Sequence, residues 1–217
     1  EILWMIEEVT NRPLINNSNQ ADIKLNKEDF FNIELLLKMR LSRIPLSRIL
    51  KKISFRNVEL SLSDKSFAPR IDSEFLIDKI LEKKVLVKSF LELGTGSGAI
   101  TISLLDERSD VTAVATDISY EAIYIAKKNA ILNNVQSRVQ FICCNWLNSF
   151  VNLNFDLIIA NPPYIRTKDI KCLDPEVKEY DPLIAIDGGT DGLDSYKRIC
   201  KSINSITKKR LAVLFEI

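Results

Sequence analysis

Phe90-Leu91-Glu92-Leu93-Gly94-Thr95-Gly96-Ser97-Gly98-Ala99-Ile100 is the stretch on which the fold turns. A short apolar run enters three closely spaced glycines, and a second apolar segment follows with no further breaker. Bounded in this way, the first run reads as a buried strand. Glycines at its end permit positive φ and close backbone approach, and a helix beginning at Ala99 offers unpaired N–H groups there. The alternation repeats outward. A strand over 111–116 reaches Asp117 and a helix over 120–132; a strand over 139–143 is followed by Asn145 and Trp146. A strand over 155–160 stops at Asn161-Pro162-Pro163-Tyr164, and a helix near 193–206 with a strand over 211–217 closes the series. Strands alternating with helices at this spacing predict an α/β fold: a doubly wound, mostly parallel sheet with right-handed crossovers.

Upstream the pattern changes. Residues 2–10 read as the end of an amphipathic helix, and Asn26 with Asp29 forms a capping-box signal for a second helix to about Arg43, stopped by Pro45. From Ile49 to Ser63 the period shifts to two, cleanly at Val58, Leu60 and Leu62, with Arg56-Asn57 as the turn of a β-hairpin. Asp72 is placed to cap a helix over 73–81. The expected organisation is a helical segment 1–47, a β-hairpin linker 48–66 and the main domain 67–217.

Composition narrows the classes. Of 217 residues 46% are apolar, enough for a packed core, yet no apolar run would span a bilayer and no signal-type leader opens the chain. Thirty basic against 29 acidic residues leave a net charge of +1, which argues against stable nucleic-acid binding. The absence of histidine removes a histidine base and a zinc site from consideration. Four cysteines form no C-x-x-C pair. Cys143 and Cys144, in an apolar strand, are expected to be core residues of a reduced, cytoplasmic protein.

The glycine loop satisfies G-x-G-x-x-A, and Asp117 lies about 20 positions on, so a nicotinamide dinucleotide is one reading. Glu92 extends the pattern to Glu-x-Gly-x-Gly-x-Gly, which is similar to that of S-adenosylmethionine-dependent methyltransferases. An acidic side chain there suits a ligand ending in an ammonium rather than a pyrophosphate. On this reading Glu92, Leu93, Gly94, Thr95, Gly96 and Gly98 form the loop, and Asp117 with Ile118 takes the ribose. Asn145 and Trp146 flank the adenine, and Asn161 closes the site; Trp146 as a plain core residue is the alternative. Asn161-Pro162-Pro163-Tyr164 makes a rigid turn with an amide, a free carbonyl and an aromatic face. Such a slot can grip a planar –C(=O)NH2 or –NH2 group, with Asn161, Pro162 and Tyr164 as its catalytic members. The same four residues as an ordinary turn are the rival reading.

Across most of its length the chain resembles the HemK-type protein-glutamine N5-methyltransferases that modify class 1 peptide-chain release factors. The resemblance is carried by Arg43-Ile-Pro45-Leu-Ser-Arg48, Ala68-Pro69-Arg70-Ile71-Asp72-Ser73-Glu74, the glycine segment, Cys144-Asn145-Trp146, Asn161-Pro-Pro-Tyr-Ile165, Asp181-Pro182-Leu-Ile-Ala185 and Gly189-Thr-Asp-Gly192-Leu. Lys51 or Lys52 stands where a hairpin glycine is usual, Ile71 for a proline, Asn145 for an aspartate and Asp181 for a glutamate. The resemblance implies S-adenosylmethionine as cofactor and the Gly-Gly-Gln glutamine of a release factor as substrate. Asn161, Pro162, Pro163, Tyr164 and Arg70 would lie on the substrate side. It also implies a longer helical segment before residue 1 and two more strands after Ile217. The competing functions are an adenine or guanine amino methyltransferase acting on a flipped-out base, and an inactive cofactor-binding fragment. No target-recognition insert stands between residues 98 and 161, which counts against the first.

Overall fold

The computed structural model describes residues 1–12, 24–82, 87–151, 154–206 and 211–217. It divides into two units, Glu1–Lys51 and Lys52–Ile217. In the first, α1 (Ile2–Thr10) packs on α2 (Lys27–Leu41), and Arg40 Nε pairs with Glu1 at 3.0 Å. The expected capping box is present in both directions. The Asp29 N–H donates to Asn26 Oδ1 at 2.9 Å, and the Asn26 N–H donates to Asp29 Oδ2 at 3.1 Å. A short helix α3 (Leu46–Leu50) follows Pro45, so Ile49 belongs to a helix rather than to the hairpin, which begins three residues later than its pattern suggested. Pro45 at the start of one turn, with its φ preset, explains why a helix forms there. Lys51 then closes α3 with φ 54°, the left-handed conformation a glycine adopts more easily.

The second unit opens with the antiparallel pair β1 (Lys52–Phe55) and β2 (Val58–Ser61), joined at Arg56-Asn57. Val58 and Leu60 are buried and Glu59 is exposed, the alternation expected of a strand with one face on a core. Asn129 secures β2. Its Oδ1 accepts from the Ser61 N–H at 2.8 Å, while its Nδ2 donates to the carbonyls of Ser61 at 3.0 Å and Ser97 at 2.9 Å. Arg56 anchors the turn, donating to Glu107 at 2.5 Å and Asp78 at 2.6 Å. Both carboxylates raise the guanidinium's already high proton affinity, with the Glu107 bond the largest cause.

Helix α4 (Asp72–Glu82) starts at Asp72 itself rather than after it. The parallel sheet then forms from β3 (Ser89–Leu93), β4 (Thr112–Asp117), β5 (Val139–Cys143), β6 (Leu157–Ala160) and β7 (Ala212–Phe215) in the order β5-β4-β3-β6-β7. Helices α5 (Ala99–Glu107), α6 (Tyr120–Leu132) and α9 (Asp194–Ile206) are interleaved with these strands, and α7 (Pro175–Lys178) and α8 (Leu183–Ile186) lie in the β6–α9 connection. Successive residues of β3 and β6 enter different cores. Phe90, Leu157 and Ile159 pack with α4, α5 and the hairpin; Leu91, Leu93, Ile158 and Ala160 pack with Leu147 and Ile199. Cys143 and Cys144 are not core residues: Cys143 is exposed and Cys144 half-buried. Strand β5 is the edge of the sheet, so its residues lack the cover on both sides that an apolar parallel strand suggests. No helix among the described residues is long and apolar enough to cross a membrane.

Candidate active site

Order reverses between β3 and β6, and ligands of such sheets bind in the crevice outside the strands' carboxyl ends at that point. Here every strand of the sheet ends in a residue of interest. Gly94 follows β3, Asp117 ends β4, Cys144 follows β5, Asn161 follows β6 and Glu216 follows β7. Together they line a cavity of about 850 Å3.

The glycine loop is held from below. The N–H groups of Gly94 and Thr95 both donate to the Thr116 carbonyl at 2.8 Å. Strand alternation turns Glu92 toward the α5 side, and it is 1% exposed. Thr95 Oγ1 donates to its carboxylate at 2.6 Å, and Thr101 Oγ1 donates to the same oxygen. Burial pushes the Glu92 carboxyl up to about 7, against the opposing pull of those hydroxyls. Glu92 therefore braces the loop as well as lining the cavity. Gly98 does not line it. A Cβ there would sit 2.8 Å from Ile102 Cδ1 and 3.2 Å from Ala126 Cβ, so the glycine lets α5 and α6 close together.

Asp117 takes the Gly96 N–H on Oδ2 and the Ser119 N–H on Oδ1, each at 2.9 Å. Burial raises its pKa while the N–H groups of Ser119 and Gly96 oppose the rise. The carboxylate is thereby fixed in direction and still has lone pairs to offer ligand hydroxyls. Ile118, Asn145 and Trp146 line the same end of the cavity, and a Cβ on Gly94 would lie 3.4 Å from the Trp146 ring. Trp146 also packs against the second core. Leu93 is fully buried and shapes the site from inside the sheet. An anchored diol-accepting carboxylate, a glycine-lined cradle and a partly exposed indole fit S-adenosylmethionine. Within the loop the N–H groups of Gly94, Thr95, Gly96 and Gly98 are all given to protein acceptors rather than turned to a pyrophosphate.

At the other end stand Asn161, Pro163 and Tyr164, while Pro162 is buried and does not line the cavity. Asn161 Nδ2 donates to Ser73 Oγ at 3.3 Å, reaching from β6 to the first turn of α4. Tyr164 is 47% exposed; burial of the rest of its ring, then Glu216, raises its pKa. Behind it the glycine-rich segment 188–192 presses against this turn. The Gly188 N–H donates to the Ile165 carbonyl at 2.8 Å, and a Cβ on Gly188 would meet Pro163 O and Tyr164 Cα at 2.8 Å. Arg70 lines the cavity, but its guanidinium is paired with Asp181, whose side chain is 3% exposed, and lies 5.3 Å over the Phe67 ring. It clamps two cavity-lining segments together, with α4 on one side and α8 on the other. Reasoning from sequence assigned nothing to Ser73, in the quoted segment 68–74, or to Glu216, in the strand read over 211–217; only the meeting of α4, β6 and β7 reveals them.

The profile of the Methyltransferase small domain family matches residues 68–173. The chain is 36% identical to the release factor glutamine methyltransferase of Agrobacterium fabrum over 90% of its length and 69% of the relative's. Its counterpart from Thermodesulfovibrio yellowstonii is 31% identical, with 89% and 71% covered. A bifunctional methyltransferase of Rickettsia typhi is 34% identical over 98% of this chain, which spans only 45% of that relative. Among solved structures, the catalytic domain of hMettl16 superposes with a TM-score of 0.56 at 13% identity, covering 94% of this chain and 73% of that one; the likeness is one of fold. The glycine cradle and the Asn-Pro-Pro-Tyr turn face one cavity across the reversal of strand order, and the two release factor glutamine methyltransferases match this chain over about 70% of their own length. The chain belongs to the release factor glutamine methyltransferase family.

Proposed function

We propose that this chain transfers a methyl group from S-adenosylmethionine to the side-chain amide nitrogen of a glutamine, that of the Gly-Gly-Gln motif in class 1 peptide-chain release factors. The observation that carries this reading is the placement of Asn161 and Tyr164 in the same cavity as Asp117 and the glycine loop, in a chain of this family. The names of its relatives supply a release factor glutamine as substrate, and the resemblance of the motifs supplies the Gly-Gly-Gln site.

When bound, S-adenosylmethionine supplies a methyl group activated by its sulfonium. Glu92, Gly94, Thr95, Gly96, Asp117, Ile118, Asn145 and Trp146 are the residues that would hold it. The task left to the protein is to present a poor nucleophile well. An amide nitrogen has its lone pair delocalised into the carbonyl. Asn161 Oδ1 accepts one of its N–H groups, and the turn's carbonyl oxygens are the acceptors for the other. Both contacts favour the more pyramidal nitrogen of the transition state. The new N–C bond forms as the methyl's bond to sulfur breaks, and the nitrogen then loses one proton. Orientation and electrostatics carry the rate, with no covalent intermediate. Tyr164, its proton affinity raised, is a packing face rather than a base. A protein of translation with free cysteines fits a reduced, cytoplasmic setting.

The test is mass spectrometry of a purified release factor after incubation with this chain and S-adenosylmethionine. One methyl group on the Gly-Gly-Gln glutamine is the expected result. An unmodified factor, with methyl groups appearing on oligonucleotides in its place, would overturn the reading in favour of a nucleic-acid amino methyltransferase.

A further inference from the structure

The side chain that the proposed reaction depends on most, Asn161, can present either an oxygen or an NH2 group to its substrate. The two orientations differ by a half-turn of the amide and are nearly equal in shape. Only the oxygen helps, since the acceptor amide offers N–H groups. Something must choose between them.

Three elements meet at that choice. Strand β7 pairs with β6 in parallel register, Ala160 opposite Phe215, and the Glu216 N–H donates to the Ala160 carbonyl at 3.0 Å. Glu216 is thereby set beside Asn161, one step beyond the last pair. Tyr196 on α9 donates its hydroxyl to the Glu216 carbonyl at 2.8 Å, fixing the strand end from the other side. Ser73, 2% exposed in the first turn of α4, accepts from Asn161 Nδ2. Burial raises the proton affinity of the Glu216 carboxylate, and the neighbouring Ser73 and Asn161 side chains draw it down. The Glu216 Oε2 atom is buried with no hydrogen-bond partner among the described residues.

We propose that Glu216 and Ser73 are positioning residues that hold Asn161 with its Nδ2 turned to them and its Oδ1 presented to the acceptor amide. The logic is one of donors and acceptors. A serine hydroxyl both donates and accepts, so Ser73 alone does not discriminate between the two ends of the amide. A carboxylate only accepts, and a flipped Asn161 would set Oδ1 against it. The consistent chain has Ser73 donating to Glu216 while Asn161 donates to both. The buried, unpartnered Oε2 of Glu216 calls for an explanation, and a positioning role supplies one.

The inference rests on the proposed glutamine methylation, so its test has one arm that needs no substrate. Nuclear magnetic resonance of the full chain reads the Asn161 side-chain NH2 signals. We expect them to be shifted and slow to exchange in the wild type and to move toward free values in Glu216→Gln and Ser73→Ala, with Ser73→Thr wild-type-like. Unmoved signals in Glu216→Gln would overturn the proposal, whatever the substrate proves to be. In the second arm, on a release factor the wild type methylates, Glu216→Gln should lower kcat about tenfold, the scale of one lost hydrogen bond. Cofactor Kd should hold, and the melting temperature should stay level or rise. Glu216→Gln added to Asn161→Ala should cost nothing further. An equal loss in both backgrounds would mean that Glu216 acts elsewhere and would overturn the proposal. Glu216→Gln keeps the size of the side chain, so a folded variant is available even if Glu216→Ala fails to fold.

Discussion

In the proposed reaction Asn161 is the side chain on which the chemistry turns, and its neighbours make the substitutions informative. Asn161→Ala should cut turnover on a release factor by about a hundredfold or more while cofactor affinity holds, since orientation and a single oriented contact act on the barrier. Steady-state kinetics beside calorimetry separates the two quantities; turnover near wild type would reduce the Asn-Pro-Pro-Tyr element to a turn. Asn161→Asp preserves size and an acceptor but removes the N–H that Ser73 receives. It also sets a second carboxylate against Glu216, and like charges in one site cannot both ionise easily. It should be almost as inactive as alanine at neutral pH. Asp117 is the matching residue on the cofactor side. Asp117→Ala should weaken S-adenosylmethionine binding by roughly 1.5–3 kcal/mol, the scale of a hydrogen bond to a charged group. Equal affinities by calorimetry would remove Asp117 from the site. Glu92 and Asp117, read alike as acidic ligands from the sequence, differ in kind once folded. One is bridged by two threonine hydroxyls inside the protein, the other is strapped to a loop N–H at the cavity wall.

The loop and strand that carry Glu92 should show it in their stability. The folded protein holds this proton up to about 7, whereas an ordinary glutamate gives it up near 4.5. Between those values unfolding releases a proton, so rising pH favours the unfolded chain. The contribution is fully present below 4.5 and is lost as pH climbs through 7. Its size is on the order of 3 kcal/mol. Glu92→Gln keeps an acceptor for Thr95 and Thr101 and should flatten that stretch of the stability–pH curve, measured by urea unfolding without cofactor. An unchanged slope would place the titration elsewhere. The segment 188–192 is a second element with a clear prediction. Gly188→Ala would drive a methyl group into Pro163 O, Tyr164 Cα and Gly192 O, each 2.8 Å away. It should displace the Asn-Pro-Pro-Tyr turn and lower kcat at least tenfold, a loss of about 1.4 kcal/mol in the barrier, while calorimetry finds cofactor binding intact. Weakened cofactor binding with normal kcat would contradict this division of labour.

At the scale of the whole molecule, the unit Glu1–Lys51 exposes Phe30, Phe31 and Leu41 on α2, whereas the cavity lies wholly within Lys52–Ile217. A substrate contacting more of the protein than the cavity gains binding energy from remote contacts. In competition, a folded release factor should be methylated at least about tenfold more efficiently, by kcat/KM, than its isolated Gly-Gly-Gln peptide; equal incorporation by mass spectrometry would confine recognition to the cavity. The sequence by itself determined the order and type of the sheet's strands and helices, because period, glycine and proline punctuation and caps are local: α6 spans Tyr120–Leu132 and β5 Val139–Cys143 as read. It also gave the ends of β3, β5 and β6, though not that of β7, which stops at Phe215 rather than Ile217; strand ends converge in a parallel sheet, so Gly94, Asp117, Trp146 and Asn161 could be read together as lining one cavity. Only the tertiary structure decided what depends on neighbours distant in the chain. It put β5 at the sheet edge, which leaves Cys143 exposed in an apolar run. It gave Arg70 to Asp181 across more than a hundred residues and Asn129 to the hairpin. It brought Ser73 and Glu216 to Asn161, because a hydrogen bond between α4, β6 and β7 leaves no period in the sequence; it exists only after the strands have taken their order.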